Sequence, residues 1–313
     1  MRWERQDKQY LASPKAYSFP LNILYSIYLS SIPLPQHILM PTILDAIVEH
    51  KRQEVAQRKE LYPVKLLEQS PYFQTPTVSL KAYLQRPDLP GIIAEIKRQS
   101  PSQGPINPHV SVERVSIGYM QAGASALSIL TDGKFFGGKN EDLTLARRMN
   151  YCPILRKDFT IDEYQIVEAR SIGADAVLLI AACLTPDEIQ RLAAFAQSLG
   201  LEVLMEVHDA EELSRSLCDD LDLVGVNNRN LKDFSVDIQT SLDLASQIPG
   251  QFVKVAESGL SAPGQVIQLA QAGFEGFLMG QAFMETAQPE KACARFIDQL
   301  LVEQGQENKV PKV

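Results

Sequence analysis

Eight short apolar runs recur every 20 to 35 residues with helical patterns between them, and together they predict an α/β fold, a (β/α)8 TIM barrel. Most runs stay apolar at consecutive positions, as strands buried on both faces do. The turn after the first run reads Lys97-Arg98-Gln99-Ser100-Pro101-Ser102 and holds no G-x-G-x-x-G, which disfavours the alternative of a doubly wound sheet. The 313 residues would fill two average domains, but α/β barrels routinely fill about 250 residues as one.

Residues 1–40 carry Arg2, Arg5, Lys8 and Lys15, then an apolar run from Phe19 to Leu34. The order mimics a signal peptide, but Pro20, Asn22 and Pro33 interrupt the run and no A-x-A-like cleavage site follows. It is too short and broken to span a membrane. The expectation is an irregular extension over residues 1–40, with Met40-Pro41-Thr42 as a natural alternative start, and one barrel domain over 41–313.

From Thr42 the pattern turns regular. Thr42 with Asp45 can cap a helix running to about Tyr62, with Leu44, Ile47, Val48 and Val55 as its apolar stripe and Pro63 as its stop. A Pro-, Gln- and Ser-rich stretch with short helical pieces follows. The eight expected strands are Ile92–Ile96, Ala126–Leu130, Ile154–Arg156, Ala176–Ala181, Val203–Val207, Leu223–Val226, Phe252–Ala256 and Gly276–Met279. Between them, Thr160 with Glu163, Thr185-Pro186 with Glu188, and Asp209 with Glu212 read as helix N-caps. Gly123, Gly173, Gly200 and Gly273 stand where helices should end.

Hydrophobic residues make up 45% and charged residues 22%, which argues against a collagen, a coiled coil or a wholly disordered chain. A net charge of −8 argues against general nucleic-acid binding. Cys152, Cys183, Cys218 and Cys293 form no C-x-x-C, and His37, His50, His109 and His208 are scattered, so no metal is expected and the thiols should be free. That fits a reducing, cytoplasmic setting.

A barrel carries its chemistry at the C-terminal ends of its strands. There stand Glu95, Lys97 and Ser100; Arg156, Lys157, Asp158 and Phe159; Glu206 and His208; Asn227, Asn228 and Arg229; Glu257, Ser258 and Gly259; and Gly280. One lysine or glutamate at a strand end is usually just solvated. Five strands ending in ionisable groups of both signs favour a polar site for a charged substrate, with proton transfer between carboxylates and amines. Glu257-Ser258-Gly259-Leu260 and Met279-Gly280-Gln281-Ala282 add glycine-exposed N–H groups, the second at a helix start, where barrels commonly bind phosphate.

Taken together these motifs resemble the indole-3-glycerol phosphate synthase family. Ile93-Ala94-Glu95-Ile96-Lys97-Arg98-Gln99-Ser100-Pro101-Ser102 is similar to its first-strand motif and Leu155-Arg156-Lys157-Asp158-Phe159 to its third. Leu204-Met205-Glu206-Val207-His208 matches the fifth, Gly225-Val226-Asn227-Asn228-Arg229-Asn230-Leu231 the sixth, and Glu257-Ser258-Gly259 the seventh. Thr131-Asp132-Gly133-Lys134-Phe135-Phe136-Gly137-Gly138 looks like its mobile loop. The resemblance spans about Thr42 to Gln304. It implies an extra N-terminal helical segment over the barrel mouth.

The resemblance further implies a cofactor-free lyase of tryptophan biosynthesis. Such an enzyme closes the indole ring of 1-(2-carboxyphenylamino)-1-deoxyribulose 5-phosphate with loss of carbon dioxide and water. Carried over, Lys157 is the acid, Lys97 holds the substrate carboxylate and can donate a proton, and Glu206 is the base. Glu95, Asn227 and Glu257 position these groups, Ser100 and Phe159 contact substrate, and Arg229 braces carboxylates. Ser258, Gly259, Gly280 and Gln281 hold phosphate, although the family often has Ser where this chain has Gln281. Partners beyond the small phosphorylated substrate are not expected, apart from association with other tryptophan-pathway enzymes. A monomer is expected, with no nucleic acid and no membrane.

Three other readings compete. Phosphoribosylanthranilate isomerase would need a cysteine at the end of the first strand, where Lys97 stands. A Schiff-base aldolase would use a strand-end lysine such as Lys157. A non-catalytic phosphate-binding protein has no use for the Lys97, Lys157 and Glu206 set.

Overall fold

A computed structural model of the chain describes residues 42–231 and 233–307. The expected extension over residues 1–40 lies outside the described residues. Eight parallel strands close into a barrel: β1 (Ile92–Ile96), β2 (Ala126–Leu130), β3 (Ile154–Lys157), β4 (Ala176–Ile180), β5 (Glu202–Val207), β6 (Leu223–Asn227), β7 (Val253–Glu257) and β8 (Gly276–Met279). Each pairs with its neighbour in sequence. The ring closes through β1 and β8, with Ile92, Ile93 and Ala94 opposite Phe277, Leu278 and Met279. No helix among the described residues is long and apolar enough to cross a membrane.

Successive side chains on a strand point to opposite faces, and in a closed barrel the two faces are the interior and the helix layer. Ile93, Leu155, Leu204, Leu223, Val253, Val255 and Leu278 pack together inside. Ile92, Ala94, Ile154, Val203, Met205, Val224, Phe277 and Met279 pack outward with the helices. Both sets are buried, which is why the strands read as continuous apolar runs rather than as alternating ones. Burying one such side chain contributes roughly 1.5–3 kcal/mol.

The bottom of the interior is stoppered by the short helix Leu80–Leu84, whose Leu80 and Leu84 join the inner cluster. The mouth is covered by α1 (Ile43–Leu61). Thr42 caps α1 through a full capping box with Asp45, as its sequence predicts. Ile47, Val48 and Val55 are buried, whereas Leu44 is only half-buried and faces the cavity at the mouth.

Thr185 and Asp209 cap their helices as expected. Thr160 does not. The helix after β3 starts at Glu163, and Asp162 caps it by accepting a hydrogen bond from the Tyr164 amide. The intervening backbone is held by the Gln165 side chain, which accepts from the Ile161 amide and donates to the Phe159 carbonyl. The Glu212 carboxylate likewise takes the His208 amide rather than completing a capping box on Asp209. Gly123, Gly173, Gly200 and Gly273 all adopt the left-handed backbone of a helix end.

Candidate active site

The inward parity of each strand runs on past its apolar part. Two residues after Ile93 comes Glu95, after Leu155 Lys157, after Leu204 Glu206, after Gly225 Asn227 and after Val255 Glu257. The same alternation that builds the core therefore converges these five polar side chains at the mouth. Glu95, Lys97, Ser100, Lys157, Phe159, Glu206, Asn227, Arg229, Glu257, Ser258, Gly259, Gly280 and Gln281 all line one cavity there. Arg156 and Asp158 have the opposite parity. Arg156 turns into the helix layer and bonds Glu168 and the Gln165 carbonyl, so it is a structural residue and not a mouth group as the strand-end reading had it.

Lys157 is the centre of the constellation. Its Nζ lies 2.7 Å from Glu206 Oε2 and 2.6 Å from Glu257 Oε2, all three side chains being mostly buried. Burial disfavours the ammonium, but Glu206, Glu257 and Glu95 outweigh it and hold Lys157 protonated well above its ordinary range. The two carboxylates are driven apart. Burial pushes Glu206 up, but Lys157, His208 and the bonds from Lys157 and Asn227 more than reverse this and bring it to about 2. Burial raises Glu257 to about 7, with Lys157 opposing and the Glu206 charge adding to the rise. Asn227 Nδ2 donates to Glu206 Oε1 at 3.0 Å. Gly225 leaves room for this arrangement, since a Cβ there would collide with Glu257 Oε1.

Across the mouth, Lys97 Nζ lies 2.9 Å from Glu95 Oε1, and Ser128 donates to Glu95 Oε2 at 3.3 Å. Gly280 sits against Glu95: a Cβ there would come within 2.7 Å of its Oε1. This glycine thus serves the carboxylate as well as any anion. The apolar wall contains Phe159 and Phe136, with ring centroids 6.0 Å apart. Ser100 lies in a two-residue strand paired with Gly104–Pro105, a small hairpin the sequence pattern did not announce.

At the far rim Ser258 and Gly259 both have positive φ, 66° and 76°. Gly280 precedes the four-residue helix Gln281–Met284, whose first N–H groups have no intrahelical acceptor. Among the described residues no carboxylate pairs with Arg229. It donates to the Phe234 carbonyl at 3.2 Å and to Gln281 Oε1 at 3.4 Å, because it leaves β6 towards β8 rather than into the carboxylate cluster. Gln281 Nε2 donates in turn to Glu285, which leaves the Gln281 main-chain amide as its polar group for an anion.

Sequence reasoning missed Phe136 as a wall residue, His208 as a partner of Glu206, and Lys51. Lys51 is 1% exposed, with Nζ 2.9 Å from Asp158 Oδ1, 3.0 Å from Asp132 Oδ2 and 2.9 Å from Glu54 Oε2. It was findable: Ile47, Lys51 and Val55 are spaced by four, which puts the lysine on the buried stripe of α1. Asp132 also accepts from the Phe135 and Phe136 amides, so the loop after β2 hangs on the same buried ion cluster.

The model of the indole-3-glycerol phosphate synthase family matches residues 44–296. An indole-3-glycerol phosphate synthase from Bacteroides thetaiotaomicron is 47% identical over 258 residues, 82% of this chain and 98% of that protein. One from Burkholderia vietnamiensis is 43% identical over 258 residues, 82% of this chain and 99% of that one. Among solved structures, a mutant tryptophan synthase α-subunit from Pyrococcus furiosus superposes with a TM-score of 0.53 at 14% identity, covering 69% of this chain and 99% of that one, a likeness of fold alone. On the family match and these identities, the chain belongs to the indole-3-glycerol phosphate synthase family.

Proposed function

We propose that this site converts 1-(2-carboxyphenylamino)-1-deoxyribulose 5-phosphate to indole-3-glycerol phosphate, carbon dioxide and water, the step that closes the indole ring in tryptophan biosynthesis. The observation that carries the proposal is the Lys157 ammonium clasped between Glu206 and Glu257, opposite the Lys97–Glu95 pair. The aromatic carbon bearing the carboxyl group attacks the ribulose carbonyl, and Lys157 protonates the oxygen as the bond forms. An alkoxide is a far stronger base than an amine, so the transfer runs downhill once the bond closes. A positioned acid of this kind contributes about 10²–10⁴-fold.

Lys97 holds the substrate carboxylate until it leaves as carbon dioxide, then supplies a proton to the departing hydroxyl. Glu206, ionised at neutral pH, removes the proton whose loss completes the indole. Glu95, Asn227 and Glu257 position the two amines and the substrate nitrogen. Phe159 and Phe136 offer the aromatic ring an apolar face, and Ser100 closes the rim. Ser258, Gly259, Gly280 and the Gln281 amide receive the phosphate, with Arg229 beside them. A cytoplasmic monomer, working beside other enzymes of the pathway, completes the proposal.

The aldolase alternative needs a neutral lysine, and the two carboxylates on Lys157 oppose that state. The test is incubation of the folded protein with the carboxyphenylamino substrate. Indole fluorescence should appear with one carbon dioxide per product, and borohydride should trap no adduct. Folded protein that gives no fluorescence, or a trapped lysine adduct, would overturn the proposal.

A further inference from the structure

His208 stands just past the end of β5, two residues after Glu206, and its ring turns back to that carboxylate, yet the catalytic steps above give it no task. Its ring lies between two carboxylates. Nδ1 is 3.1 Å from Glu212 Oε2, and Nε2 is 3.5 Å from Glu206 Oε1. The Glu212 carboxylate is itself fixed by the His208 main-chain amide at 2.8 Å. The side chain is 11% exposed and Nε2 has no hydrogen-bond partner among the described residues.

This geometry decides the protonation state. With its proton on Nδ1 alone, the ring would turn a bare Nε2 lone pair towards a carboxylate oxygen in a buried place. With its proton on Nε2 alone, it would do the same towards Glu212. Only the imidazolium, a donor at both nitrogens, suits two carboxylate neighbours. The titratable groups around it are Glu206 on its own strand, Glu212 on the following helix, Glu257 on β7 and, through Glu206, Lys157 on β3 and Cys183 after β4. Among these, the carboxylates all favour the charged ring.

We propose that His208 is a positioning residue for Glu206: an imidazolium, oriented by Glu212, that keeps the Glu206 carboxylate ionised and aimed while Lys157 occupies its other oxygen. The inference rests on the reading of Glu206 as the base. Glu206 Oε2 faces Lys157 and Oε1 faces Asn227 and His208, so cations flank the carboxylate from both sides. When Glu206 gains a proton during turnover, the His208 charge adds to that of Lys157 in driving the proton off again.

The test has two arms. Ring-nitrogen NMR of uniformly labelled protein, with His208→Gln as the assignment control, reads the charge directly and needs no substrate. The His208 ring should remain an imidazolium at pH 7.5; a neutral ring there overturns the inference whatever reaction the site performs. The second arm is the pH dependence of kcat for His208→Gln and His208→Phe at saturating substrate. Both should fold, keep KM within about threefold and move the acidic limb upward by about one pH unit, since a carboxylate that loses a neighbouring cation binds its proton more tightly. His208→Gln, which keeps a donor towards Glu206, should retain more of kcat than His208→Phe. Lower kcat with an unmoved acidic limb would show a merely structural residue and overturn the proposal. If His208→Phe fails to fold, His208→Gln and the NMR measurement still decide.

Discussion

Lys51 Nζ lies 2.9 Å from Asp158 Oδ1, which fastens the helix at the barrel mouth to the residue that directly follows Lys157. The same nitrogen holds Asp132 at the root of the loop that carries Phe136. Through Arg156 and Glu168 the cluster continues to Arg58, near the other end of α1. The lid helix, the loop after β2 and the strand end bearing the proposed acid thus share one buried ion network.

Lys51→Met should therefore destabilise the fold by roughly 3–5 kcal/mol, because two buried carboxylates lose their cation while the methionine fits the space. Urea unfolding measures it. A change under about 1 kcal/mol would mean that Arg156 and Thr131 satisfy Asp158 without Lys51.

Glu257 gives the pH dependence of stability a definite sign. Unfolded it titrates near 4.5 and folded near 7, so between those values the folded chain binds more protons and loses stability as pH rises. Glutamine does not titrate. The stability of Glu257→Gln relative to wild type should therefore grow on the order of 2 kcal/mol from pH 4.5 to 7 and then level off, whatever constant offset the substitution brings. A difference flat across that interval, in melting curves taken at each pH, contradicts the raised carboxyl.

Gly259→Val should raise KM and the inhibition constant for inorganic phosphate at least tenfold. The sequence alone suggests that the new side chain would enter the anion's space, but the structure adds a nearer obstacle. The residue sits at φ 76°, and a Cβ there would strike the Val236 side chain, so the whole turn must move. Gln281→Ser should change KM less than about threefold, since the main-chain amide is what the anion needs. Steady-state assays of both variants, with phosphate as competitor, distinguish this site from one elsewhere.

Deleting residues 1–39 should leave a folded, active enzyme, because Thr42 and Asp45 complete the capping box of α1 between themselves. A melting temperature lower by more than about 5 °C would imply roughly 2 kcal/mol of lost contacts and refute this.

The eight strands were readable because burial on both faces leaves an uninterrupted apolar run, and strand parity then assigns Glu95, Lys157, Glu206, Asn227 and Glu257 to one mouth. Their boundaries stop one residue short at Lys157, Asn227 and Glu257 and miss Glu202, all polar ends of apolar runs, and they take in Ala181 and Phe252, apolar residues that lie just outside their strands. Thr160 misled because a good cap residue is no cap when its side chain is buried and the next turn is held by Gln165. The direction of Arg229 was not legible, since a residue in a loop past a strand end has no parity to fix it. Lys51 was legible on the α1 stripe but was passed over as a polar residue on a helix.

Lys157 carries the account, and the rate of indole formation by Lys157→Ala tests it most directly. Removing an acid needed only in the transition state should lower kcat by roughly 10²–10⁴-fold while substrate affinity stays within about tenfold. The variant's indole fluorescence should therefore rise at a rate far below that of wild type even at saturating substrate. A kcat within threefold of wild type, from a variant with an intact melting transition, would contradict Lys157 as the acid and with it the reading of this site.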